Sequence, residues 1–306
     1  MTTIAAGMRY VDVGFRKRPQ IIATAVLDNA GGVALVDPGP TSCLPTLREG
    51  LRAGGVEVQD IRSILLSHIH LDHAGATGTL VQENPAIQVY VHQVGAPHLI
   101  DPSRLLASAT RLYGAAMDDL WGAFLPVPAA NVTALAGGER IQVAGRTLEV
   151  AYTPGHASHH VCYFDDSTGV AFVGDMGGVH IPRAAYTLPP TPPPDINVEQ
   201  WVESTHRILG WHPSTLFLTH FGTIDTPEPH LHQVLDTLHR NATIAKEALA
   251  LEAGVSDEQR ATYFIREIGR ELRRTLNDAD ATRYEIATPL DQNWQGLARY
   301  WRKRGQ

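Results

Sequence analysis

Residues 67–75 read Ser-His-Ile-His-Leu-Asp-His-Ala-Gly, which crowds His68, His70, Asp72 and His73 together. Imidazole nitrogens and carboxylate oxygens are the ligand atoms of zinc and its neighbours in the first transition row. The apolar run Ile64-Leu65-Leu66 comes directly before. On an extended segment alternate residues point the same way, so His68 and His70 share one face. A turn into helix then carries Asp72 and His73 to a second position. The spacing suits two metal ions better than one.

Other short apolar runs also stop at residues able to do chemistry. Val-Ala-Leu-Val ends at Asp37, Leu-Glu-Val-Ala-Tyr-Thr-Pro-Gly at His156, Val-Ala-Phe-Val-Gly at Asp175 and Thr-Leu-Phe-Leu-Thr at His220. Such runs, bounded by Gly and Pro, read as buried strands. A sheet whose strand ends present His and Asp along one edge is a pattern that builds a site.

Helices are expected between these strands. Leu44, Leu47 and Leu51 mark one that Gly54-Gly55 closes, and the segment after Asp72 is another that stops near Pro85. Asn197 caps a third, and a fourth starts at Leu231. Alternating strands and helices make this an α/β protein. Residues 95–135, with Leu105, Leu112, Tyr113, Met117, Trp121 and Phe124, read as one or two helices inserted between strands. From residue 251 the chain is helical again, opened by a Ser256–Gln259 capping box, and Leu290, Trp294, Leu297 and Trp301 recur at helical spacing for core packing. The proline-rich stretch 188–195 reads as a rim loop and Asp165-Asp166 as a hairpin turn.

The gross numbers set limits. At 306 residues and 43% hydrophobic, the chain can bury a large core, as one domain or one domain with an extension. A net charge of −7 argues against a nucleic-acid partner, and Arg302-Lys303-Arg304 reads as a solvated tail. Two cysteines, Cys43 and Cys162, make no disulfide framework and fit a reducing compartment. With no signal-like N-terminus and no long apolar run, the expectation is a cytoplasmic protein without a membrane partner.

The set His-x-His-x-Asp-His at 68–73, Gly-His at 155–156, Gly-Asp at 174–175 and Thr-His at 219–220, with the early Val-Asp-Pro-Gly, resembles the metallo-β-lactamase superfamily over roughly residues 20–250. The likeness is to the branch containing glyoxalase II and the acyl-homoserine lactonases, which keeps an aspartate at the position of Asp175. The resemblance implies a four-layer αβ/βα sandwich over residues 1–250, with the helical insertion at 95–135 as a candidate lid and residues 251–306 as a helical C-terminal extension. It further implies that His68, His70 and His156 hold one metal and Asp72, His73 and His220 the other. Asp175 would bridge the two, and Asp37 would support the ligands without binding metal. The implied cofactors are two divalent ions, zinc first, with iron and manganese as alternatives.

The reaction implied by the resemblance is hydrolysis of an ester, lactone or thioester of a small organic molecule by a metal-bridging hydroxide, with Asp72 accepting the nucleophile's proton. The alternatives are a mononuclear iron sulfur dioxygenase on the same scaffold, a phosphoester hydrolase and a non-catalytic binding scaffold. A homo-oligomer is left open. Tyr186 and Arg183 are expected to approach the site by way of the proline loop. The lactonases carry a tyrosine nearer the bridging aspartate, where this sequence has Gly178. His159, His160 and His180 are read mostly as background.

Overall fold

The structure is a computed structural model that describes residues 1–252 and 254–305. The first sheet runs β1 (Thr2–Ala5), β2 (Met8–Asp12), β3 (Ala23–Asn29), β4 (Gly32–Val36), β5 (Ile61–Leu65), β6 (Gln88–His92) and β7 (Val132–Leu135), in that spatial order. Its first four strands form an antiparallel meander, and β4 to β7 are parallel. The second sheet contains β8 (Arg140–Val143), β9 (Arg146–Tyr152), β10 (Val161–Asp165), β11 (Val170–Phe172), β12 (Thr215–Leu218) and β13 (Gly222–Ile224), each beside the next. Only β11 and β12 pair in parallel there.

The central strands, β3, β4 and β10 among them, are apolar without alternation because both of their faces are covered, whereas edge strand β8 alternates. In β4, Ala34 and Val36 face the second sheet, whereas Val33 and Leu35 face helices. In β10, Val161 and Tyr163 point inward, and Cys162 and Phe164 point to the helices on the far side. Three apolar cores between four layers result, and this is the αβ/βα sandwich.

On the first sheet lie α1 (Leu44–Ala53), α2 (Leu71–Ala74), α3 (Thr77–Glu83), α4 (Ala96–Ile100), α5 (Ser103–Tyr113) and α6 (Met117–Trp121). On the second lie α7 (Val198–Gly210), α8 (Pro227–Leu249), α9 (Asp257–Thr275), α10 (Asp278–Ala287) and α11 (Leu290–Arg304). The side chain of Asn197 accepts from Gln200 N at the start of α7, and the Ser256–Gln259 capping box opens α9.

Two expectations are corrected. The helix after Asp72 is two pieces, α2 and α3, broken at Gly75-Ala76. Ala76 N donates to Gly39 O at 2.8 Å instead of continuing the helical ladder, and Gly75 packs close on Pro40, where an added Cβ would lie 2.9 Å from its Cα. The insertion holds three helices, and its end is no insertion at all but strand β7 at the sheet edge. Asn131 secures that return by donating to the carbonyls of Pro85 and Ile87.

Candidate metal centre

Five strands deliver their C-terminal ends to one edge of the sandwich. Asp37 follows β4, His68 follows β5, His156 follows β9, Asp175 follows β11 and His220 follows β12. His68 and His70 lie past the end of β5, His70 in extended backbone (φ −60°, ψ 154°), and α2 begins at Leu71 so that Asp72 and His73 fall in its first turn.

The seven side chains converge in two groups. His68, His70, His156 and Asp175 present ligand atoms within 4.8 Å of one another, and so do Asp72, His73 and His220. His70 Nδ1 lies 2.9 Å from His68 Nε2 and 3.0 Å from His156 Nε2. Asp175 stands between the groups, with Oδ2 3.2 Å from His156 Nε2 and Oδ1 3.0 Å from His73 Nε2. Asp72 Oδ2 lies 3.3 Å from His220 Nε2.

Hydrogen-bond partners behind the rings fix which nitrogen carries the proton. His156 Nδ1 donates to Pro190 O at 2.9 Å and His220 Nδ1 to Ile21 O at 2.8 Å. His73 Nδ1 faces Asp37 Oδ2 at 2.8 Å. The Ser67 hydroxyl gives its hydrogen to Asp37 Oδ2 at 2.7 Å, so it can only accept from His68 Nδ1, 3.0 Å away. With Nδ1 engaged behind, all four Nε2 atoms aim inward, where a neutral ring offers each as a lone pair. His73 Nε2 and Asp175 Oδ1 are buried without any hydrogen-bond partner. Lone pairs and carboxylates packed at such distances repel or stay unsatisfied unless a cation sits among them. The donor set fits divalent metal ions.

Electrostatics differ between the two groups. Burial, followed by the neighbouring rings, holds His68 far below the ordinary histidine range, and burial brings His70 down to about 4. Burial also lowers His156. These nitrogens are free for a metal at neutral pH. Burial opposes charge on His73 and His220 as well, but Asp175 and Asp72, joined at His73 by Asp37, outweigh it and raise both. Asp72 is held at about 2 against its burial by His73 and His220, and Asp175 goes well below the carboxylate range against its burial through His73, His156 and His220.

Asp37 ties the edge together. It is fully buried, in a left-handed backbone conformation with φ of 49°, and its carboxylate accepts from Ser67 N, Ser67 Oγ and Thr219 Oγ1 as well as His73. The ends of β5 and β12 and the first turn of α2 thus meet on one side chain. Asp37→Asn puts an amide N–H against donors that need an acceptor, and its expected result is a 10- to 100-fold loss of metal affinity, read by chelator competition. Unchanged affinity would reduce Asp37 to a turn residue.

Four of the seven, His70, Asp72, Asp175 and His220, form the floor of a cavity of about 370 Å³. Its walls are Phe15, Arg16 and Ile22 from the N-terminal loop, Leu105 to Trp121 from α5 and α6, Pro190 to Asp195 from the proline loop, and Glu285 to Gln292 from α10 and α11. The insertion is wall and core at once: Trp121 lines the cavity, stacks on Phe15 at 5.4 Å and meets Tyr113 edge-on at 5.0 Å, whereas Phe124 only packs the core.

The structure does not bring Tyr186 or Arg183 to the cavity. Gly178, at φ of 67°, turns the chain away, the Val179–Leu188 bridge brings it back, and Tyr186 is spent on packing against Tyr284. His180 bonds to Tyr186 O and Thr187 Oγ1 in the same excursion. His160, bonded to Thr153 Oγ1, is structural, but His159 lines the cavity beside His70. Sequence reasoning missed Arg16 and the whole 285–292 wall, whereas Tyr113 and Trp121 belong to the insertion expected as a lid and do line the cavity. Pro289 between two helical patterns is the one local sign of an exposed turn there.

Comparison with known proteins places these features in a wider group. Residues 18–220 match the family model described as the metallo-beta-lactamase superfamily. A Sulfurisphaera tokodaii protein described as metallo-beta-lactamase fold-containing protein ST1585 is 25% identical over 75% of this chain and 84% of its own length. Thioesterase pkgB of Emericella nidulans is 29% identical over 46% of this chain, which spans only 34% of that relative. Among solved structures, the metallo-beta-lactamase family protein TTHA1429 of Thermus thermophilus superposes with a TM-score of 0.73 at 20% identity, covering 99% of this chain and 95% of its own.

Proposed function

Because the chain belongs to the metallo-β-lactamase superfamily, a family of metal-dependent hydrolases, we propose that it is a dinuclear enzyme cleaving a thioester, ester or lactone of a small organic molecule. The observation that carries this reading is the double set of inward-facing lone pairs linked by Asp175. His68, His70 and His156 would hold one ion, Asp72, His73 and His220 the other, and Asp175 would reach both. Zinc suits this nitrogen-rich set best, and iron and manganese share its ligand preferences. Bound there, divalent ions supply Lewis acidity that lowers the pKa of water and polarises a carbonyl oxygen.

The protein's own contribution is positional. The five strand ends fix the ligand atoms before substrate arrives, and Asp37, Pro190 O and Ile21 O hold the rings at one tautomer. The apolar walls exclude water around the acyl group. Asp72, partly exposed to the cavity, stays ionised and is placed to take a proton from the attacking water and return it to the leaving group. A thiol or alcohol leaving group needs that return. The name of the fungal thioesterase supports the thioester member of the set.

A mononuclear dioxygenase uses only three of the ligands, whereas here the second set is assembled and buried as completely as the first. Elemental analysis of fully active protein should find about two metal ions per chain. The same preparation should hydrolyse members of a panel of thioesters, aryl esters and lactones. Full activity with one ion per chain, or oxidation of a persulfide without acyl hydrolysis, would overturn the proposal.

A further inference from the structure

The polar groups lining the cavity divide unevenly. Its carboxylates are all engaged: Asp72 and Asp175 face the histidines, Asp195 accepts from Ser158 Oγ at 2.6 Å, and Glu285 pairs with Arg273 at 2.8 Å. Its cations are not. Among the described residues, neither Arg16 nor Arg104 forms an ion pair or a side-chain hydrogen bond, and the His98 ring has no partner. Arg16 and Arg104 are exposed while the histidine cluster is buried, which puts them at the entrance and the cluster at the floor. The Phe15–Trp121 stack links the loop bearing Arg16 to the insertion bearing Arg104. Arg16 holds a left-handed conformation, φ 53° and ψ 35°, and Lys17 and Arg18 beside it are exposed and without ion-pair partners among the described residues. Asp101, whose carboxyl is held low by Ser103 first and less by Arg104 and His98, makes no ion pair with either, so two guanidinium groups without ion-pair partners among the described residues line the opening.

We propose that Arg16, Arg104 and His98 form a subsite at the cavity entrance for an anionic group of the substrate, a carboxylate or a phosphate, whose apolar portion lies against the Phe15–Trp121 wall. Guanidinium groups match the oxyanions of both geometrically and bind them by paired hydrogen bonds. In a thioester substrate, the reading on which this refinement rests only for the bond cleaved, the charged part would belong to the thiol half. Carboxylate-bearing and phosphate-bearing thiols are two sources of the same chemistry.

Binding separates the subsite from the reaction. The S-octyl thioethers of N-acetylcysteamine, glutathione and coenzyme A share a tail and cannot be hydrolysed; the first is neutral, the second carries carboxylates and the third phosphates. In calorimetric titrations of the full-length, metal-loaded protein, at least one anionic thioether should bind about tenfold more tightly than the neutral one. High salt should erase that advantage. The Arg16→Ala/Arg104→Ala double variant should erase it too, leaving metal content and binding of the neutral thioether unchanged, and Arg16→Lys/Arg104→Lys should restore part of it. Preference for the glutathione or the coenzyme A thioether assigns the source. Equal binding of all three, or an equal loss for all three in the double variant, would overturn the subsite. If the thioethers discriminate but the matching octanoyl thioesters are not cleaved, the subsite stands and the reading of the bond fails.

Discussion

Asp175→Asn should lower kcat/KM about 10²- to 10³-fold, the order that follows removal of one preorganised electrostatic group from a reaction site. The amide fills the same space but carries no charge. His73 and His220 owe their raised pKa to Asp175 first among the attractive partners, and burial pulls the other way. Without the carboxylate, two cations would face each other across a neutral side chain. Metal content should therefore fall from about two ions per chain towards one, the second group being left with Asp72 as its only carboxylate. Stopped assays on metal-replete protein, with elemental analysis of the same sample, check both numbers. Near-normal turnover with a full complement of metal would remove Asp175 from the centre.

Gly296→Ala is expected to act from far along the chain. In the middle of α11 the added methyl would by itself favour helix by about 1 kcal/mol. It has nowhere to go. An ideal Cβ would lie 2.0 Å from Thr191 O and 2.9 Å from the Thr191 and Pro192 carbonyl carbons, all of them backbone. Overpacking of this kind costs roughly 1–3 kcal/mol or more, which outweighs the helix gain. The helix also holds the proline loop directly, because Asn293 Oδ1 accepts from Thr191 N at 2.8 Å. One residue earlier, Pro190 O holds the His156 ring. Pushing α11 outward should thus loosen the metal as well, by about 10- to 100-fold in affinity, as for other outer partners of a ligand. A lowered melting temperature with unchanged metal affinity would show that the loop absorbs the shift on its own.

The strands and the ligand cluster were legible in the sequence because each is local. An apolar run of fixed length ending in His or Asp states both the strand and the residue it delivers, as Thr-Leu-Phe-Leu-Thr-His does for β12 and His220. Beyond the insertion, the cavity wall was not legible, because distant segments meet only in the folded chain. Tyr113 donates to Gln292 across 179 positions, and Phe15 finds Trp121 through stacking alone. Tyr186 misled for a related reason. Closeness in sequence to Asp175 suggested closeness in space, but one left-handed glycine reverses the chain between them. The helix after Asp72 is interrupted by a tertiary hydrogen bond, Ala76 N to Gly39 O, which no pattern of apolar residues records.

The candidate ligand residues all fall between positions 68 and 220, inside the stretch that matches the family, whereas part of the wall comes from residues before 18 and after 284. On the proposed reading, part of substrate choice lies outside the stretch that would break the bond, while Arg104, His98 and the α5–α6 wall lie inside it. A lineage carrying this arrangement can exchange Arg16 or the segment around Gln292 by single steps, and no intermediate along the way need lose its metals. Descent within such a family preserves the type of bond attacked far longer than the molecule that contains it. Kinship to a thioesterase accordingly bears on the reaction, and on the reading proposed here the substrate would be recorded in the lip of the cavity.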